Sequence, residues 1–439
     1  MKFDNYFLKA KEKGIKELEL SYSKDYSLSF SFFRGEVESY STSTLSSLSA
    51  RGTYNNKAGY VNTEKIDRST VDFVIDKIIE NASVNNSSDE VIIFKGSEKY
   101  QKKNVYNPKL EKISIEEKMA LIKEIESLIK KADKRITDIE IGYSEGTTEY
   151  NLLNSYGLNL KSKTNSFSIY AQAVATGEDG ETKTGFKSII DNDLDKFNVN
   201  EFVNIVVDST ISQLNGKPCE SKKYKAILNP EVTASLMGFF ISNAIADEVQ
   251  KNTSLFKGKL HQKVASSKVT IEERPLDKNP FFRYFDDEGV ATYNKKIVNK
   301  GKLETYLYNL ATAKKDGVNS TGNGYRGGGK VGTATTNVYL KPGKLTEQEL
   351  FSLVNEGIYI TDVEGLHAGM NPQSGNFSLQ AKGYLIKNGK RDTPVCLITI
   401  AGNLFKIFKG IKEVANNVEH FGDTSSCSVY VKEIAVSGI

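Results

Sequence analysis

Apolar residues stand at every second position along Tyr26, Leu28, Phe30 and Phe32, with Ser27, Ser29 and Ser31 between them. That period of two marks a half-buried strand. Ahead of it, Phe3 to Lys13 reads as a short helix stopped by Gly14, and Ile15 to Tyr22 as a strand; Arg34-Gly35-Glu36 supplies the turn that follows. After the Ser/Thr-rich stretch Ser39 to Ser49, the segment Ala50 to Val61, with Gly52, Asn55-Asn56 and Gly59, predicts short strands joined by tight turns. Then the period changes. Within Asp67 to Ala82 the residues Val71, Val74, Ile75, Ile78, Ile79 and Ala82 fall on one helical stripe, predicting an amphipathic helix packed on that sheet.

Ser83 to Lys112 is polar and irregular, as a linker is, and sets a first boundary. Ser114 and Glu117 form a capping box opening a helix through Met119, Leu121, Ile122, Ile125, Leu128 and Ile129, which Lys130-Lys131 close at the negative dipole end. Strands are predicted at Ile139 to Tyr143, Thr147 to Asn154, Asn159 to Thr164 and Phe167 to Thr176, punctuated by Gly146, Gly157 and Gly177 to Gly180, with a helix at Asn200 to Leu214. A second boundary falls near Asn215-Gly216-Lys217-Pro218.

Beyond it, Tyr224 to Leu228 is a strand, Pro230 opens a helix where its missing N–H costs nothing, and Val232 to Val249 is apolar and helical. Glycine then becomes dense: Thr321 to Gly329 and Gly365 to Gly375 read as non-helical, while Tyr384 to Ile386 and Val395 to Ile400 suggest strands. A helix at Leu404 to Val414 and a strand at Ser428 to Ile434 end the chain. The expected class is α+β: N-terminal (1–90) and middle (110–216) units of α/β make-up with antiparallel strands, followed by a larger C-terminal unit (220–439) of mostly antiparallel sheet or barrel with flanking helices.

Composition narrows the function classes. At 439 residues with 38% hydrophobic and 26% charged, the chain is globular, with length for about three domains. Lys+Arg 59 against Asp+Glu 55 leaves net +4, not the concentrated basic field that nucleic acid or a membrane surface requires. No apolar run is long enough for a membrane helix and the start is polar, so neither a transmembrane helix nor a secretory signal is expected, and the cytoplasm is the expected location. Cys219, Cys396 and Cys427 match neither a disulfide framework nor a metal knuckle and read as free thiols.

Candidate chemistry is sparse. His261, His367 and His420 are widely spaced and no HExxH or relative of it occurs, so a His/Cys metal site has no ligand motif behind it. Asp286-Asp287-Glu288-Gly289 is the densest acidic cluster and reads as a structural or substrate-contacting turn, since the calcium-loop pattern is missing. Thr321 to Lys330 invites a phosphate-loop reading. It fails, because Val331 follows Gly329-Lys330 and no helix is predicted behind it. The segment reads instead as a loop lining a cleft, with strand-type pairing to a peptide as its functional reading. Ser374 lacks a nearby base except His367, and no GxSxG elbow surrounds it.

A family resemblance then emerges from many short motifs in order. They are Leu255 to Leu260 (LFKGKL), Val264-Ala265-Ser266, Phe285 to Val290 (FDDEGV), Asn319 to Asn323 (NSTGN), Thr336 to Gly343 (TNVYLKPG), Gly369 to Ser378 (GMNPQSGNFS), Gly383 to Gly389 (GYLIKNG) and Thr399 to Leu404 (TIAGNL). With Asn154 to Leu158 in the middle unit, and Arg51-Gly52 and Gly59-Tyr60 in the first, the chain resembles the TldD/PmbA family, the PmbA (TldE) branch in particular, over essentially its whole length. That family carries the labels metallopeptidase and modulator of DNA gyrase.

The resemblance implies a three-part chain and a cytosolic proteolytic complex acting on unfolded peptides. A TldD-like partner carries a helical HExxxH motif that holds zinc, while the PmbA-type subunit helps form the substrate cleft. In this sequence the matching stretch Met237 to Val249, MGFFISNAIADEV, contains no histidine. Asp247 and Glu248 are adjacent and point about 100° apart on a helix, so they do not replace an imidazole pair. Cys396, in the apolar Val395 to Ile398, reads as a packed small residue. No metal ligand, cofactor or catalytic residue is carried over, and the chain is not expected to be catalytic by itself. Asp287, Thr321, Gly322, Asn323, Asn371, Ser374, Gly375, Phe377 and Ser378 are the candidate substrate-binding residues. The expected partners are an HExxxH subunit or a second copy, and an unfolded peptide, with no direct nucleic-acid or membrane contact. The alternative is a non-catalytic peptide-binding scaffold or homodimeric interaction protein; a lone serine or carboxylate hydrolase would need Ser374 or Asp287 at its centre.

Overall fold

The computed structural model describes residues 3–67, 69–85, 91–327 and 330–439. Arg68 in the predicted second helix, linker residues Asn86 to Ser88, and Gly328-Gly329 of the glycine-rich segment lie outside them. The chain starts with helix α1 (Asp4–Glu12) and three strands, β1 (Glu17–Phe33), β2 (Glu36–Tyr54) and β3 (Lys57–Thr63). Helices α2 (Thr70–Val84) and α3 (Ile115–Ala132), strands β4 (Ile136–Asn154), β5 (Asn159–Thr176) and β6 (Thr182–Asp191), and helix α4 (Val199–Ile211) complete the N-terminal half. Its six strands form one antiparallel sheet in the order β3-β2-β1-β4-β5-β6. Because β1 pairs with β4 from Glu19↔Asn154 to Phe33↔Glu140, the first two helix-and-strand units share this sheet.

Strand parity explains the layering. The even positions of β1 put Leu18 and Leu20 against α1 and α2, and Leu28, Phe30 and Phe32 against α3 and α4. Ser114 and Glu117 do form the reciprocal capping box of α3, and its Ile122, Ile125 and Ile129 are buried, each stabilising by about 1.5–3 kcal/mol. The opposite face splits in two. At one end Leu152 and Leu160 pack against Leu276, Phe282 and Phe285 of the C-terminal half. At the other end hydroxyls pair across strands, Ser27 with Ser43 at 3.0 Å and Ser144 with Ser168 at 2.9 Å. The Ser/Thr-rich stretch is therefore strand, and the strands predicted around Gly146 are two long ones instead of four.

The C-terminal half runs β7 (Lys222–Leu228), α5 (Pro230–Ser242), α6 (Ala246–Gln250), β8 (Ile271–Glu273), β9 (Lys295–Asn299), β10 (Lys302–Leu303) and α7 (Leu310–Asp316). Next come β11 (Gly324–Gly327), β12 (Lys330–Thr333), β13 (Val338–Leu340), α8 (Glu347–Val354), β14 (Gly357–Glu364) and α9 (Leu366–Gly369). It ends with β15 (Asn376–Lys387), β16 (Lys390–Asn403), α10 (Leu404–Gly410), β17 (Ile411–Val414), β18 (Glu419–Phe421), β19 (Thr424–Ser426) and β20 (Val429–Ser437). One sheet has the order β16-β15-β14-β7-β20-β17, and a β16–β20 pairing closes its first five strands into a barrel. A second sheet is ordered β10-β9-β8-β13-β19-β18, and β11-β12 stand apart as a hairpin. The fold is thus α+β, with a barrel-containing C-terminal part.

Several local expectations are corrected here. Val232 to Val249 is not one helix: at Asn243 the chain breaks, its side chain accepting from Leu255 N at 3.0 Å and its carbonyl from Ser254 Oγ at 2.6 Å. Gly365 to Gly375 contains one helical turn, α9, because Gly365 at φ +76° turns its carbonyl onto the Gly369 N–H at 2.7 Å. The last helix stops at Gly410 and the chain continues as β17 against β20. In the glycine-rich segment Gly324 to Gly327 is a strand paired to 330–333.

Candidate functional site

Helix α5 is apolar on nearly every side, and it is accordingly buried between the barrel and the second sheet. Asn229 caps its first turn by accepting from Val232 N at 2.8 Å. From it Phe240 stacks on Phe408 with centroids 4.1 Å apart and touches Phe256 edge-on at 5.1 Å. Phe405 lies 5.7 Å from both Phe240 and Phe256, completing an aromatic cluster at this end of α5.

A ledge rests on that cluster. Gly375, at φ +72°, leaves its pro-Cβ position 2.5 Å from the Phe405 ring, a space that any side chain would need. Asn371 organises the turn: Oδ1 accepts from Gln373 N at 3.1 Å and Ser374 N at 2.9 Å, and its carbonyl accepts from Gly375 N at 2.8 Å. Asn403 holds the far side, donating to the Ser374 carbonyl at 2.8 Å and to Asn376 Oδ1 at 2.9 Å. Phe377 is buried, bridging to Met370, and Ser378 follows on β15. An open cavity of about 600 Å³ runs along Ala368 to Gln373 and Asn376 to Ser378. The fold thus gathers Asn371, Ser374, Gly375, Phe377 and Ser378 over the end of α5. Ser374 Oγ accepts from Asn376 N at 3.2 Å, and among the described residues no histidine bonds to it.

Asp287, Thr321, Gly322 and Asn323 assemble elsewhere, at the junction of the two halves. Asp287 pairs with Arg283 and accepts from Arg326 N at 2.8 Å. Thr321 Oγ1 donates to Asn323 Oδ1 at 2.7 Å, and Asn323 Nδ2 donates to Glu273 at 2.6 Å and the Ala334 carbonyl at 2.9 Å. Gly322, at φ +72°, packs on the Ala291 backbone. Asp286 and Glu288 point inward beneath the Gly324 backbone. Asp286 accepts three backbone N–H bonds, from Glu288, Val290 and Gly324, whereas Glu288 accepts one, from Leu310. Burial, reinforced by the Asp286 charge, raises the Glu288 carboxyl well above the usual range. No hydrogen bond or ion pair joins this group to the ledge among the described residues.

Zinc requires three or four converging N, S or O ligands. On α6, Glu248 accepts from Thr253 Oγ1 at 2.5 Å and Lys251 at 3.5 Å, while Asp247 keeps one oxygen buried without a partner among the described residues. Exposed His261 faces Glu304 at 3.7 Å, and His420 bonds Ser425 at 2.8 Å. Cys396 donates to the Gly216 carbonyl at 2.9 Å from β16. Among the described residues no group of three or more His, Cys, Asp or Glu could hold a metal ion. The donors around α5 and α6 do not fit zinc. Sequence spacing also gives no pointer to Asn403 and Phe405 as the ledge's support, because the β15–β16 register, Asn376↔Asn403, creates that contact.

Comparison with known proteins agrees with this architecture. Signatures of the PmbA/TldA metallopeptidase domain 1, central domain and C-terminal domain match residues 18–83, 108–214 and 221–438. The chain is 31% identical over 319 residues to a metalloprotease PmbA homolog of Buchnera aphidicola, covering 70% of this chain and 67% of that protein. It is 28% identical over 401 residues to a metalloprotease of Methanocaldococcus jannaschii, covering 88% and 86%. A crystal structure of a candidate modulator of a DNA gyrase from Thermotoga maritima superposes with TM-score 0.92 at 30% identity over 99% of both chains. TldE from Thermococcus kodakarensis shares the fold, with TM-score 0.91 at 22% identity over 99% and 100% of the two chains. Matched in order from residue 18 to residue 438, the chain belongs to the PmbA/TldD metallopeptidase family, as a PmbA-like member.

Proposed function

We propose that this chain is the non-metal subunit of a cytosolic peptidase, paired with an HExxxH subunit that supplies zinc, and that it helps form the cleft for an unfolded peptide. The observation that carries the reading is the ledge Asn371 to Ser378, seated through Phe405 on helix α5, whose continuation to Val249 has no imidazole. Its amides are taken up within the turn itself, so the open cavity along it and the side chains Asn371, Ser374 and Ser378 are what suit an extended peptide. Asp287, Thr321, Gly322 and Asn323 enter as the frame that fixes the glycine-rich segment at the junction of the two halves. The chain's part in hydrolysis is then to bind and orient peptide, which lowers the barrier by positioning.

The test is cleavage of an unstructured polypeptide by this chain alone, by an HExxxH relative alone, and by the mixture, with and without chelator, read by mass spectrometry. Chelator-sensitive cleavage that rises in the mixture supports the reading. Cleavage by this chain alone, or a mixture no better than the partner alone, overturns it; peptide binding without cleavage in any arm returns the scaffold reading.

A further inference from the structure

A cleft of about 1040 Å³ separates α4 and β6 from β14, β15 and the first turn of α5. Its charges do not balance. Among the described residues six carboxylates line it against three cations, and each cation already has a partner: Lys187 with Glu419 at 3.0 Å, Lys382 with Asp362 at 2.9 Å, Arg391 with Asp208 at 3.2 Å. Among the described residues Glu201, Glu231 and Glu364 have no cationic partner. Glu231 stands on the first turn of α5, within the field of both the Lys187–Glu419 and the Asp362–Lys382 pairs, and the cleft walls raise its carboxyl above the usual range by desolvation.

A second feature is independent of those acids. Gln213, just after α4, is 3% exposed, and its Oε1 has no hydrogen-bond partner among the described residues. It lines both the main cleft and an adjoining pocket of about 220 Å³. A buried acceptor without a donor costs about 1–3 kcal/mol, so an N–H brought to this wall would be favoured. On the α4 and β6 side, Ile205 and Phe186 are 37% and 49% exposed, offering apolar surface beside the acids.

We propose that this cleft binds an alkylammonium group, with Glu231 as its anchoring carboxylate, Glu364 as a second acceptor and Gln213 receiving an N–H. Charge-assisted hydrogen bonds from an ammonium suit unpaired carboxylates, and a methylene stem suits the exposed faces of Ile205 and Phe186. A lysine side chain of a peptide and a free polyamine present the same chemistry. The site lies away from the Asn371 to Ser378 ledge, and its occupancy does not depend on hydrolysis by any complex.

Titration calorimetry of the purified chain at low salt tests it, with spermidine, a lysine-containing hexapeptide, and the same hexapeptide ε-acetylated as probes. Saturable binding of spermidine or the lysine peptide is expected, weakening as salt is raised. Glu231→Gln should weaken it by about tenfold or more, and Glu364→Gln by less, with unchanged thermal melts. Which cationic probe binds identifies the source of the ammonium. Affinities equal in wild type and both variants, equal binding of the acetylated peptide, or no binding of either cationic probe overturns the proposal.

Discussion

Arg326 on the β11 strand reaches across to Glu19 on β1 and shares that carboxylate with Arg51, which holds it at 2.7 Å. Glu19 is fully buried, and Arg326 also donates to Ser21 Oγ at 2.7 Å. One carboxylate therefore bridges two guanidinium groups, one from each half of the molecule. Glu19→Gln leaves both cations buried and should destabilise by about 3–5 kcal/mol, whereas Arg326→Met leaves the Arg51–Glu19 pair intact and should cost about 1.5–3 kcal/mol. Urea melts of the two variants check the order; a larger loss in Arg326→Met would show that the arginine acts by more than this pairing.

The Asp286–Glu288 pair makes stability fall as pH rises. Glu288 titrates above its unfolded value of about 4.3, so from there upward the folded protein retains a proton that the unfolded chain has released. The stabilisation is complete below that pH and is lost through the raised folded value. Glu288→Gln, which keeps an acceptor for the Leu310 N–H, should flatten this slope and exceed wild type in the alkaline range. Denaturant melts across pH test it: a wild-type curve that climbs relative to Glu288→Gln above about pH 5 contradicts the assignment.

Leu397 sits in the left-handed region at φ +52° and is 64% exposed, at the bulge where the β15–β16 register shifts. A branched side chain there costs about 1–2 kcal/mol and, being exposed, packs little in return. Leu397→Gly should raise stability by about 0.5–1.5 kcal/mol, the glycine's own chain entropy taking back part of the gain. A drop in melting temperature would mean that the leucine is covered in solution.

How much of this was legible depends on whether a residue has one buried face. The Tyr26 to Phe32 alternation and the α3 stripe are visible because one side meets a core. The outer part of β2, exposed from Glu36 to Leu45, carries no such period because neither side is covered, and the edge strand β6 shows none because its covered side is Lys183, Gly185, Lys187, Ile189 and Asp191, which is mostly not apolar. Likewise the polar run Asn371 to Ser378 reads as a site loop, while its support from Phe405 and Asn403 arises only when β15 folds back on β16. Gln213 and Glu231, adjacent to no motif, come to line one cleft only through the packing of the middle helix against the barrel.

Asn403 separates shape from stability at the ledge. Its Oδ1 caps α10 by accepting from Lys406 N at 3.3 Å, and its Nδ2 makes the two bonds that hold Ser374 and Asn376. Asn403→Asp keeps an acceptor for the cap and removes both donors, which are solvent-exposed, so the cost in stability should be about 1 kcal/mol or less. If the ledge orients peptide, kcat/KM of the mixture with an HExxxH subunit should nevertheless fall by about tenfold, equivalent to ~1.4 kcal/mol in the barrier, because the Ser374 carbonyl and the turn behind it are no longer fixed. Gly375→Ala should act in the same direction by forcing a Cβ onto the Phe405 ring, at the additional cost of strain at φ +72°. Unchanged kinetics in both variants, with assembly of the mixture intact by size-exclusion chromatography, would place peptide contact away from this ledge.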